Sequence, residues 1–196
     1  MKKKRTGKTG ILLMTLGILL VAAAMSLVIF TVLSEKRAAE RANVIVSELY
    51  ELMPRIKQGV SDDRENVMMP MLELDSESFV GIIEVPLYNV KLPVGGAWDP
   101  SEYAKYPLRF TGSLYNGSLV IGGYESSGQL GFLESITLTD EVYFTDVMGC
   151  RYGYEVAEVY ITSDISAESF SRRDSDLVIF AKDPYKSEYT IVILND

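Results

Sequence analysis

The sequence predicts an all-β domain, an eight-stranded barrel with short helices, tethered by one N-terminal transmembrane helix. Three observations predict it. Ile11–Leu33 runs for 23 residues without a charge. From Phe79 onward, eight short runs of β-type residues are separated by turn residues. Between these regions only one stretch, Glu35–Met53, carries a helical period.

An α-helix rises ~1.5 Å per residue, so Ile11–Leu33 is about 35 Å long, enough to cross a ~30 Å hydrocarbon core with some tilt. The ten residues before it hold five positive charges (Lys2, Lys3, Lys4, Arg5, Lys8) and no negative one. That bias places the N-terminus in the cytoplasm and everything after Leu33 outside the cell membrane, in a single pass. A cleaved signal peptide is the competing reading, with Ala22, Ala23 and Ala24 as the small residues of a cleavage site. The apolar run continues through Phe30 to Leu33, which a cleaved signal does not need. The expected organisation is a basic tail (1–10), a membrane helix (11–33), an outer helix with linker (34–72) and the barrel (73–196).

Five of the 19 basic residues precede the apolar run, which leaves 14 Lys and Arg against 27 Asp and Glu outside, a net charge of −13. That balance argues against nucleic acid as a partner. About 160 residues suffice for one domain with its own core. Cys150 is the only cysteine, so no internal disulfide stabilises an exported domain. Histidine is absent altogether.

In Glu35–Met53, Ala38, Ala42, Ile45, Leu49 and Leu52 recur at steps of four and three, an apolar stripe that Pro54 ends. Docking on the chain's own domain is favoured over pairing with a second copy. Residues 55–72 are polar and lack a steady period. Their Asp62-Asp63-Arg64-Glu65 cluster lacks the alternating oxygen ligands of a calcium loop, so it reads as solvated linker. The predicted strands are Phe79–Val85, Asn89–Val94, Leu108–Phe110, Ser118–Tyr124, Glu141–Asp146, Arg151–Thr162, Asp176–Asp183 and Glu188–Leu194. Gly95-Gly96, Asn116-Gly117, Gly149-Cys150 and Asp183-Pro184 supply turns between them. In the sixth strand Tyr152, Tyr154 and Val156 share one face, then Val159 and Ile161 the other, so a bulge is expected near Ala157-Glu158.

These residues carry a family resemblance. Phe79-Val-Gly-Ile-Ile-Glu-Val-Pro with Asn89-Val-Lys-Leu-Pro-Val, then Arg109 through Gly123, Gln129-Leu-Gly-Phe-Leu, Glu141-Val-Tyr-Phe-Thr-Asp and Asp176-Leu-Val-Ile-Phe resemble successive strands of sortases. The opening strands resemble especially the class B-like sortases of Gram-positive bacteria. The resemblance runs in order from about residue 70 to the C-terminus. It implies a barrel at the cell surface that cuts sorting-signal peptides with cysteine, histidine and arginine.

Each of the implied positions holds another residue. The histidine position is Tyr124, a phenol with a pKa near 10 and a poor proton shuttle at neutral pH. The cysteine position is Lys182, or Ala181 if the register moves by one. The arginine position is Tyr189. The resemblance therefore implies a groove without its chemistry, with Tyr124, Glu125, Lys182, Tyr185 and Tyr189 as candidate ligand-binding residues. Next to Asp183 and near Glu125, Lys182 is expected to be salt-bridged.

Cys150 has no imidazole to activate it and reads as a free thiol in a turn. Lys182 with Ser126 or Ser127 would form a Ser-Lys enzyme only if burial lowered the lysine pKa by several units. Tyr103, Tyr106, Tyr115, Tyr143, Tyr152, Tyr154 and Tyr160 fall in or beside strands, as packing residues. Trp98 reads as a loop pin. No cofactor or metal is expected. The leading expectation is a non-catalytic membrane protein that binds a sorting-signal-like peptide, a true sortase or an envelope protein. The alternatives are a sortase-type or Ser-Lys enzyme and a spacer without a ligand.

Overall fold

The structure is a computed structural model that describes residues 6–55, 57–58, 68–99, 105–115, 119–165, 170 and 175–196. The acidic cluster at 62–65, the Asn116-Gly117 turn and Tyr103 lie outside the described residues. One helix, α1, spans Thr6–Leu52. Chain contacts divide the molecule after Arg37. In the first unit, the large apolar side chains from Ile11 to Leu33 are exposed along the helix, which is long and apolar enough to cross a membrane.

The second unit is built of strands. They are β1 (Lys57–Gln58), β2 (Leu72–Leu74), β3 (Glu77–Val85), β4 (Val90–Gly95), β5 (Leu108–Thr111), β6 (Leu119–Tyr124), β7 (Glu141–Asp146), β8 (Cys150–Thr162), β9 (Leu177–Lys182) and β10 (Tyr189–Asn195). β3, β4, β5, β6, β9, β10, β8 and β7 pair in that order, and β7 returns to β3. The eight-stranded ring is therefore closed, which removes the free edges an open sheet would expose. β1 and β2 are short additions, on β8 and β3 respectively; β1 lies within the stretch expected to be linker and β2 at its boundary with the barrel.

Side chains alternate across each strand, and the alternation separates two apolar faces. The larger cluster fills the barrel: Ile83 and Val85 from β3, Ile121 from β6, Phe144 from β7, Val156 from β8, Ile179 from β9 and Val192 from β10. β9 is covered on both sides. Leu177, Val178, Ile179, Phe180 and Ala181 are all fully buried, as expected for a near-continuous apolar strand between parallel β6 and antiparallel β10. The expected bulge falls at Ala157: Ile193 pairs with Glu158 and Leu194 with Val156, so Ala157 is the extra residue.

The lower part of α1 docks on the outer face of the ring. Val46, Leu49 and Met53 pack with Phe79, Ile82, Tyr106 and Leu108. Burial of each such side chain contributes roughly 1.5–3 kcal/mol. Leu52, expected in the stripe, is exposed instead, and Val46 and Met53 are buried. A period of about 3.6 residues carries a stripe from Ala42 to 46, 49 and 53, whereas 52 turns to solvent. The helix is also tied polarly. Glu84 on β3 accepts the Tyr50 hydroxyl at 2.8 Å and pairs with Lys91 at 2.6 Å and Arg151 at 2.7 Å.

Candidate functional site

β6, β9 and β10 lie side by side, and their register sets the site. Tyr124 pairs with Lys182, and Lys182 pairs with Tyr189. Residues in register on neighbouring strands project from the same face. Tyr124, Lys182 and Tyr189, remote in sequence, therefore form one row across three strands, on the face opposite the barrel interior. Each is half-buried.

Local chemistry ends the strands at this row. After β6 the backbone N–H of Leu130 donates to the carbonyl of Tyr124 at 3.1 Å, and the buried Gln129 side chain accepts the Tyr124 N–H at 3.1 Å. The chain thus turns within seven residues. After β9, Asp183 accepts the N–H groups of Tyr185 at 2.7 Å and Lys186 at 3.1 Å, an Asx-type turn that begins the return to β10.

Beneath the row the same face is aromatic. Phe180 meets Phe170 in a stacked pair at 5.5 Å, and Phe110 and Tyr189 edge-on at 5.3 and 6.2 Å. Gly122, paired with Phe180, makes room for this: a Cβ there would fall inside the Phe180 ring. Trp98 packs edge-on against Phe110 at 5.0 Å and touches Phe180, so it pins its loop to this face. Phe110 and Phe170 were not foreseen as part of the site. The available signal for Phe170 was a lone aromatic residue in the largely polar stretch 162–176.

Among the described residues, Lys182 does not form the expected salt bridge. Asp183 pairs with Lys186 at 3.4 Å. The Glu125 carboxylate accepts the Thr190 hydroxyl at 2.7 Å. Thr190 is in register with Ala181, an inward residue, so Glu125 turns away from the face that carries Lys182. Burial raises the Glu125 pKa, and the neighbouring carboxylates Glu134 and Asp183 add to the rise against the Thr190 hydrogen bond. Among the described residues, no carboxylate lies within ion-pair distance of Lys182, and no hydrogen bond joins it to Ser126 or Ser127. Tyr185, at the tip of the β9–β10 loop, is 87% exposed.

Cys150 is not in a turn. It is the first residue of β8, buried and in no disulfide, and its N–H donates to Asp146 at 2.8 Å. Among the described residues, no three His, Cys, Asp or Glu side chains are grouped to hold a metal ion.

Neither a family model nor a curated protein matches the sequence. Solved structures do match. Sortase A of Listeria monocytogenes superposes with a TM-score of 0.51 at 16% identity, over 60% of this chain and 86% of that one. Sortase C1 of Streptococcus agalactiae gives 0.51 at 16% identity, over 83% and 89%. A Clostridium perfringens sortase D5 transpeptidase gives 0.50 at 14% identity, over 82% and 96%. Three differently lettered sortases score alike, so the likeness does not select among classes. The described barrel has the fold of the sortases.

Proposed function

We propose that this chain is a membrane-anchored, sortase-like protein without transpeptidase activity that binds a peptide at the row of Tyr124, Lys182 and Tyr189 on β6, β9 and β10. In this reading Ile11–Leu33 spans the cell membrane of a Gram-positive bacterium, with the basic N-terminus in the cytoplasm and the barrel outside. A cysteine transpeptidase needs a thiolate, a proton donor for the leaving amine and a donor for the developing oxyanion. The observation that carries the proposal is the row itself: the register aligns Tyr124, Lys182 and Tyr189 where the sequence resemblance would place that set. Two phenols and an ammonium flanking an aromatic face are well suited to binding and poorly suited to acyl transfer. The ligand is a sorting-signal-like peptide, presented free or as part of a sortase or envelope protein.

The test uses the full chain in detergent micelles with labelled sorting-signal peptides. Saturable binding without cleavage, weakened by Tyr124→Ala and by Tyr189→Ala, is the expected result. Cleavage that disappears in Lys182→Ala would overturn the proposal. Fluorophosphonate labelling of Ser126 or Ser127 would instead establish a Ser-Lys enzyme.

A further inference from the structure

The charge at the centre of the row has no counterpart among the described residues. Lys91 and Arg151 pair with Glu84, Lys105 with Glu77 at 2.8 Å, and Lys186 with Asp183. Lys182 has none of these among the described residues, although two carboxylates follow the strand ends beside it. Each of them is directed elsewhere: Asp183 to its own turn and to Lys186, Glu125 to Thr190. The row therefore holds an ammonium between two tyrosines, half-buried, beside an apolar aromatic face, in a domain that is otherwise strongly acidic.

A half-buried ammonium keeps its charge at least cost when an acceptor with negative charge meets it. The Tyr189 hydroxyl beside it can donate to the same group. From this geometry we infer that the peptide held at this row carries a carboxylate, which pairs with Lys182 between Tyr124 and Tyr189. The inference rests on the peptide-binding reading and names the chemistry of its ligand. The −13 charge of the outer part does not forbid it, because at physiological ionic strength that repulsion is screened beyond roughly 8 Å. Selection for one carboxylate in an otherwise uncharged segment follows.

Two probe peptides test it, acetyl-Ala-Phe-Glu-Phe-Ala-amide and its Gln counterpart, titrated into the full chain in uncharged detergent micelles. Reductive methylation with carbon-13 formaldehyde makes the lysine ammonium groups visible by NMR, and Lys182→Met assigns the resonance. The Glu peptide is expected to bind about tenfold more tightly than the Gln peptide, the scale of a charge-assisted hydrogen bond. It is also expected to move the Lys182 resonance. In Lys182→Met the preference disappears while the weaker, shared affinity remains. Equal affinity of the two peptides for the unaltered chain would overturn the carboxylate inference and leave the peptide-binding reading standing. Binding of neither peptide, nor of sorting-signal peptides, would overturn both. A Glu preference that survives Lys182→Met would overturn the assignment to this row.

Discussion

Asp146 and Lys182 both sit at the ends of barrel strands, and their surroundings are opposites. Asp146, fully buried at the end of β7, accepts the N–H groups of Met148 and Cys150 at 2.9 and 2.8 Å and the Tyr115 hydroxyl at 2.8 Å. It closes the β7–β8 turn and ties it to the residues that follow β5. Lys182 ends β9 half-exposed, with no internal counter-charge among the described residues. A polar group saturated by its own chain is scaffold. One left for an outside partner is where a ligand is to be sought. The prediction with the greatest effect therefore concerns the scaffold. Asp146→Ala leaves buried donors without an acceptor and should cost about 3–5 kcal/mol in chemical denaturation of the full chain.

Phe180→Ala should come next, at about 3–4 kcal/mol, because the ring is fully buried and holds Phe110, Phe170 and Trp98 on the outer face. If it also abolishes peptide binding at concentrations where the chain remains folded, the buried aromatic cluster positions the row as well as stabilising the core.

A smaller effect is expected from acid. Burial alone would raise the Glu84 carboxyl, but Lys91, Tyr50 and Arg151 outweigh it and hold its pKa below the ordinary 4.5. A lowered folded-state value means stability that is present above about pH 4.5 and is lost as pH falls through the lower, folded value. The unaltered chain should thus lose more stability in that window than Glu84→Gln, as measured by denaturation at stepped pH. Equal losses would show that the Tyr50–Glu84 link does not hold α1 to the barrel energetically.

The smallest stability change is expected at the row. Lys182→Ala should alter stability by less than about 0.5 kcal/mol, since no internal ion pair is broken. If it cost as much as Asp146→Ala, the contrast between the two strand ends would fail and Lys182 would be a structural residue.

Much of the barrel was legible in the chain. The eight runs of β-type residues read between turn residues match the ring strands to within two residues at each described end, and the phase change in the sixth run, where alternation is clear, marked a real bulge at Ala157. Alternation is a local property, imposed by a two-residue repeat on a surface with one buried side. The docking stripe of α1 was legible to within one turn. Its last member was misread because steps of four and three fit Leu52 and Met53 almost equally well. Only the packed barrel determines which one turns inward.

The site was legible as a set of residue types and not as a place. By itself the sequence determined that histidine chemistry is absent, that one apolar run can cross a membrane, and that Tyr124, Lys182 and Tyr189 end or begin strands. It could not say that these three stand in one row, because register between β6 and β9 joins residues 58 positions apart. Nor could it say that Asp183 and Glu125, both close to Lys182 along the chain or across the sheet, would bond elsewhere. Ion pairing follows side-chain direction, and direction follows which face of the sheet each residue takes. That was decided only when the ring closed.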